Sequence, residues 1–206
     1  MNFETEQEKF WAGKFGNEYI QRNKSSEQLA SNLNLFLKIF QDQDKPNSLI
    51  ELGSNIGMNL KAIKLLFPNI EMFGVEINSN AAMELSNFLG HENVYNGSIF
   101  DFQITKTFDV SLISGVLIHI EPNFLNNVYE KLYNSTNKYI IISEYYNPTP
   151  ISIKYRGHDN VLFKRDFAGE IMDKYKDLKL VKYGFCYKRD ELFLQDDITW
   201  FLLKKN

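Results

Sequence analysis

Ser48-Leu49-Ile50-Glu51-Leu52-Gly53-Ser54-Asn55-Ile56-Gly57-Met58 reads as a short apolar strand, a tight glycine turn and the start of a helix. Leu49, Ile50 and Leu52 form the apolar run before Gly53. Beyond Met58 the apolar residues Leu60, Ile63, Leu66 and Phe67 recur at helical spacing. Gly53 and Gly57 bracket the turn, where glycine permits positive φ and lets a ligand approach the backbone without meeting a Cβ. The helix that follows presents free N–H groups at its start. A strand, glycine turn and helix in this order form a cradle for a nucleotide.

The spacing narrows the choice of nucleotide. A dinucleotide fingerprint reads G-x-G-x-x-G; here it is G-x-x-x-G, preceded by the acid Glu51. The stretch resembles motif I, E/D-x-G-x-G-x-G, of the class I S-adenosylmethionine-dependent methyltransferases, with Asn55 in place of the middle glycine. That resemblance implies that Glu51, Gly53, Asn55 and Gly57 hold the methionine end of the cofactor, which carries an amino group and a carboxylate. The plainer reading is an ordinary βα turn.

The 206 residues suit one domain with additions, and 44% apolar and 15% aromatic residues supply a core. A formal net charge of −3 argues against a nucleic-acid partner, whose phosphates select basic surfaces. Cys186 is the sole cysteine, which excludes an internal disulfide and fits a reducing compartment. The polar, acidic start is unlike a signal peptide, and no apolar run reaches the ~20 residues of a membrane helix. These features predict a cytoplasmic protein with no membrane or nucleic-acid partner and no metal site.

Outward from the turn, strand and helix alternate. Residues 25–40 form an amphipathic helix with Ser26 as N-cap and Leu29, Leu33, Phe36, Leu37 and Phe40 on one face. Strands are expected at 48–52, 70–75, 93–95, 108–114 and 138–143, and helices at 79–89, 122–133 and 164–176. Two more strands, 178–187 and 198–204, flank a polar segment. Continuous apolar runs such as Tyr139-Ile140-Ile141-Ile142 indicate strands covered on both faces. The order predicts an α/β fold: a doubly wound, mainly parallel seven-stranded Rossmann-like sheet with an N-terminal helical extension. The methyltransferase resemblance adds an antiparallel last strand. Residues 1–45 are expected to form the extension or lid, and 46–206 the cofactor-binding domain.

Glu76 ends the second strand about 20 residues after the turn, where a carboxylate can accept from both ribose hydroxyls, with Ile77 beside it. The loop Asn96-Gly97-Ser98-Ile99-Phe100-Asp101 matches imperfectly the one that brackets adenine in such enzymes. It nominates Ser98 and Ile99; the alternative is an Asn-Gly turn. The fourth strand ends in Ser114-Gly115-Val116-Leu117-Ile118-His119, with Gly115 open to the sulfonium region and His119 a candidate base or a structural histidine. The D/N-P-P-Y/F signature of nucleic-acid amino methyltransferases is missing there. Ser143-Glu144-Tyr145-Tyr146 ends the fifth strand. Tyr145, Tyr155, Arg156 and Arg165 are candidate substrate contacts, the arginines suited to a carboxylate or phosphate, and His158 is a second candidate base. Trp11, Phe15, Tyr19 and Arg22 supply either a pocket wall that stacks on and bonds a ligand or a plain apolar cover.

Nearly the whole chain resembles one narrower family, the pseudaminic acid biosynthesis-associated methylases. The likeness rests on Phe10-Trp11-Ala12-Gly13-x-Phe15-Gly16-x-x-Tyr19-Ile20-x-Arg22-Asn23, Glu51-Leu52-Gly53 and Tyr155-Arg156-Gly157-His158. It continues in Leu162-Phe163-Lys164-Arg165-Asp166-Phe167-Ala168-Gly169-Glu170, Tyr183-Gly184-Phe185 and Asp196-Asp197-Ile198-Thr199-Trp200-Phe201. It implies transfer of a methyl group from S-adenosylmethionine to O or N of a small molecule. The substrate it suggests is a nonulosonic sugar or its precursor, a sugar acid or nucleotide sugar. The alternative is an inactive S-adenosylmethionine-binding partner or sensor of a sugar pathway.

Overall fold

The glycine turn follows the central strand of a sheet. The computed structural model describes residues 3–20, 24–155 and 158–206, with backbone alone for 155 and 158–161. β1 (Ser48–Leu52) pairs in parallel with β2 (Glu71–Glu76) on one side and β4 (Phe108–Ser114) on the other. β3 (Val94–Asn96) extends the sheet beyond β2, and β5 (Thr136–Glu144) beyond β4, both in parallel. β9 (Ile198–Lys205) inserts antiparallel between β5 and β8 (Leu178–Cys186). The order is β3-β2-β1-β4-β5-β9-β8, the seven-stranded, mainly parallel sheet with an antiparallel last strand that the sequence predicted.

Each central strand buries alternate residues in opposite layers, as the two-residue repeat of a strand requires. On one face Leu49, Leu112, Ile141 and Leu202 pack against Phe36 and Ile39 of α3 (Ser26–Phe40) and Leu60 and Ile63 of α4 (Met58–Leu66). Leu85 of α5 (Ser79–Leu89) completes that layer. On the other face Ile50, Ile113, Ile140 and Leu203 meet Val128 and Leu132 of α6 (Leu125–Asn134) and Phe167 and Ile171 of α7 (Phe167–Lys174).

The turn depends on its glycines. Gly53 and Gly57 have φ of 79° and 77°, and the Gly53 and Ser54 amides donate to the Val75 carbonyl at 2.9 and 3.0 Å. A Cβ on Gly57 would lie 2.6 Å from Cδ1 of Leu85. Gly57→Ala is therefore expected to remove about 2 kcal/mol of stability, read by urea denaturation, from left-handed strain plus crowding. Unchanged stability would contradict this conformation.

Several boundaries differ from the sequence reading. Residues 3–20 hold two short helices, α1 (Glu6–Ala12) and α2 (Lys14–Ile20). Thr5 and Glu8 form a reciprocal capping box at the start of α1, a signal legible as T-x-x-E. Ser25, not Ser26, caps α3, accepting from the Gln28 amide at 3.1 Å. Pro122–Phe124 is a 3-10 turn that precedes α6 rather than its first turn. The segment after β5, expected as a loop, contains the antiparallel pair β6 (Ile151–Tyr155) and β7 (His158–Lys164). As a result α7 starts at Phe167, capped by the Asp166 carboxylate accepting from the Gly169 amide at 2.9 Å. No helix among the described residues is long and apolar enough to cross a membrane.

Candidate functional site

The carboxyl ends of β1, β2, β4 and β5 open onto one cavity of about 530 Å³, roofed by the N-terminal helices and by residues 194–198. A crevice at that edge of a parallel sheet is where ligands of such folds sit. Three buried carboxylates end the strands beneath it: Glu51, Glu76 and Glu144.

Glu76 is fixed by backbone. Its Oε2 accepts from the Asn55 amide and its Oε1 from the Asn78 amide, both at 2.7 Å. Each oxygen keeps a second lone pair for a ligand. Burial pushes its carboxyl up to about 6, against the pull of the Asn78, Asn55 and Ile77 amides.

Glu51 ends a chain of amides. Its Oε1 accepts from Nδ2 of Asn59 at 2.7 Å, and Asn32 Nδ2 donates to Oδ1 of Asn59 at 2.9 Å. Gln28 and Gln195 both donate to Oδ1 of Asn32 at 2.8 Å. Oε2 of Glu51 has no hydrogen-bond partner among the described residues. Burial pushes this carboxyl up to about 8; the Asn59 bond opposes the shift and the nearby Glu76 charge adds to it.

Glu144 ends β5. Its Oε1 accepts from the amides of Val116 and Leu117, both at 2.9 Å, and its Oε2 has no partner among the described residues. Burial pushes it up to about 7 against the amides of residues 116–118. Between these acids Gly115 has φ of 66°, and a Cβ there would meet nothing within 4 Å, so the wall is left open. Among the described residues no group of three or more His, Cys, Asp or Glu is arranged to hold a metal ion.

The N-terminal helices close the cavity from above. Nδ2 of Asn78 donates to the Trp11 carbonyl at 3.2 Å and to Oδ1 of Asn17 at 2.9 Å. The Trp11 ring lies 4.7 Å from that of His119, centre to centre. Gly16 allows the two helices to fold together, since a Cβ there would fall 1.9 Å from the Trp11 carbonyl oxygen.

No family model matches the chain, and no curated protein matches it in sequence. Solved structures do. The chain is similar to the plantazolicin methyltransferase BpumL in complex with SAH, with a TM-score of 0.67 and 15% identity over 97% of this chain and 94% of that one. It is similar over the full length of both chains to the magnesium protoporphyrin IX methyltransferase of Synechocystis PCC 6803 with bound SAM, at 0.66 and 10%. The mitomycin 7-O-methyltransferase MmcR gives 0.68 at 14% identity, covering 98% of this chain and 61% of that one. The fold is that of the class I methyltransferases.

Within this methyltransferase fold, the cavity lining brings together most of the residues singled out from sequence. Glu51, Gly53, Asn55, Glu76, Ile77, Ser98, Ile99, Ser114 and Gly115 line its floor, and Trp11, Tyr19, His119 and Tyr145 its upper walls. Three others fall elsewhere. Gly57 lies behind the turn as the N-cap of α4, against Leu85. Phe15 stacks on Phe10, ring centres 4.1 Å apart. Arg165 is not part of the lining: its Nε donates to Oε1 of Glu170 at 2.7 Å, because β7 carries it toward α7. Arg22 and Arg156 lie outside the described residues, as do the side chains of Tyr155 and His158. Sequence reasoning missed Asn32, Asn59, Asn78, Gln195 and the role of Glu144. Asn32 was detectable as a polar residue beside the apolar stripe of α3, where it is 5% exposed.

Proposed function

We propose that this chain is an S-adenosylmethionine-dependent methyltransferase acting on a small molecule. The observation that carries the proposal is the pairing of Glu51 and Glu76 at the ends of adjacent strands, either side of a glycine turn and beside the open Gly115. Glu76 presents two oriented oxygens to a ribose diol. The buried, unpartnered Oε2 of Glu51 suits the ammonium of the methionine end. Ser98 and Ile99, on the loop after β3, line the same cavity and are the residues we assign to the adenine edge. The volume falls within the roughly 300–1,000 Å³ of small-molecule sites.

The bound cofactor supplies an electrophilic methyl group on sulfur. The chain's own residues hold its polar ends, orient the acceptor and exclude water through the roof of Trp11, Tyr19 and Leu194. His119 lines the same space beneath the Trp11 ring, where it would contact the acceptor molecule.

For the substrate we infer a nonulosonic-type sugar or its precursor, on the family resemblance of the chain's two ends. Its hydroxyl- or amine-bearing side is the one expected to face the described walls, which carry Glu121, Glu144 and Asp196 and neither Lys nor Arg. A nucleic-acid substrate fits poorly with the net charge of −3. Calorimetric titration with S-adenosylhomocysteine and transfer of labelled methyl to a panel of amino sugars, nucleotide sugars and sugar acids test this reading. Saturable binding and labelled product are expected. Binding without transfer across the panel would favour a cofactor-binding partner or sensor, and absent binding would remove the proposal.

A further inference from the structure

Glu144 is the one buried strand-end carboxylate of the cavity that the cofactor assignment leaves unused. It is 2% exposed, and two backbone amides hold one oxygen while the other has no partner among the described residues. β5 runs beside β4, with Ser143 opposite Ser114 and the Gly115 amide donating to the Ser143 carbonyl at 3.0 Å. Glu144 therefore lies one strand from the opening at Gly115, on the side away from Glu76. Tyr145 next to it donates to Oδ2 of Asp196 at 2.6 Å, which ties this end of the cavity to the segment before β9. The acids at this end face no described Lys or Arg in the lining.

Resting on the methyltransferase reading, we propose that Glu144 is a catalytic residue facing the methyl acceptor, and that the acceptor is an amine or hydroxyl on an uncharged or cationic part of its molecule. The acceptor's lone pair forms the bond to the methyl carbon, the C–S bonding pair remains on sulfur, and the acceptor's proton passes to Oε2 of Glu144. An anionic group at that position would face a buried carboxylate with no Lys or Arg in the described lining, so a carboxylate-bearing end of the substrate is expected to point elsewhere. The two amides pin Oε1, whereas Oε2 is buried without a hydrogen-bond partner among the described residues, on a carboxylate that lines the cavity.

Sinefungin tests this without knowledge of the substrate, because a carbon bearing a primary amine replaces the methylated sulfur and places an ammonium where the acceptor meets the methyl group. Its affinity and that of S-adenosylhomocysteine are measured by calorimetry at pH 8 on the wild type and on Glu144→Gln. The wild type is expected to prefer sinefungin by tenfold or more. Glu144→Gln should bring that preference to within twofold while binding S-adenosylhomocysteine as the wild type does. No preference in the wild type overturns the proposal whatever the variant does, and so does a preference that survives in Glu144→Gln. Absence of S-adenosylhomocysteine binding to the wild type would instead remove the methyltransferase reading itself.

Discussion

Replacing Glu76 by alanine is expected to weaken S-adenosylhomocysteine binding at least a hundredfold, measured by calorimetry. Hydrogen bonds to a charged acceptor are worth about 1.5–3 kcal/mol each, and about 1.4 kcal/mol is a factor of ten in affinity. Two ribose hydroxyls bonding one carboxylate then place the loss at about two to four powers of ten. The same carboxylate holds the Asn55 and Asn78 amides at 2.7 Å, so its removal also loosens the glycine turn and the start of α5. That second effect is separable. It lowers the melting temperature of the ligand-free protein, whereas the loss of ribose contacts persists well below melting. Glutamine is a poor neutral substitute, because its NH2 would face one of those amide donors; aspartate keeps the charge and is the better second variant. Affinity within threefold of wild type in a folded Glu76→Ala protein would remove Glu76 from the ribose role.

The sheet was legible because its strands are buried on both faces and read as unbroken apolar runs, as Tyr139 to Ile142 do. The β6–β7 pair was not, because Ile151–Tyr155 and the strand after it mix apolar residues with serine, lysine and aspartate, and Ile151 itself is 49% exposed. Composition there resembles a loop, and only cross-strand pairing distinguishes the two. The floor of the cavity was legible for a different reason. Glu51, Gly53 and Glu76 sit at spacings fixed by one strand-turn-helix-strand step, which is local in sequence. Asn32, Asn59 and Gln195 form a relay whose members are 27 and 163 residues apart, and no local pattern encodes such a meeting. Arg165 illustrates the converse limit. A charge that reads as a ligand contact was absorbed by Glu170, five residues on, once α7 began at its Asp166 cap.

The pH dependence of stability should carry the signature of the three buried acids, Glu51 most of all. Their folded-state values stand at about 8 for Glu51, 6 for Glu76 and 7 for Glu144, against 4.5 for the exposed carboxyl. Between 4.5 and each raised value the folded protein binds more protons than the unfolded chain, so stability falls as pH rises through that window. Urea denaturation of the ligand-free protein is expected to give its greater stability near pH 5 and less at pH 8. Glu51→Gln retains a carbonyl oxygen for Asn59 and has no charge to bury. It should flatten the profile, recovering on the order of 3 kcal/mol at pH 8. Ligand binding should run the other way. An ammonium beside Oε2 favours the carboxylate, so S-adenosylhomocysteine should displace a proton from Glu51 below pH 8 and bind more tightly as pH rises from 6 to 8. Calorimetry in two buffers of different ionisation heat reads that proton directly. Glu51→Gln should lose the buffer dependence and bind tenfold or more weakly at pH 8 while being the more stable protein. A substitution that stabilises the fold and weakens the ligand separates a site acid from a structural one. If Glu51→Gln left both the pH profile and the proton release unchanged, the charge at the end of β1 would have no part in holding the cofactor.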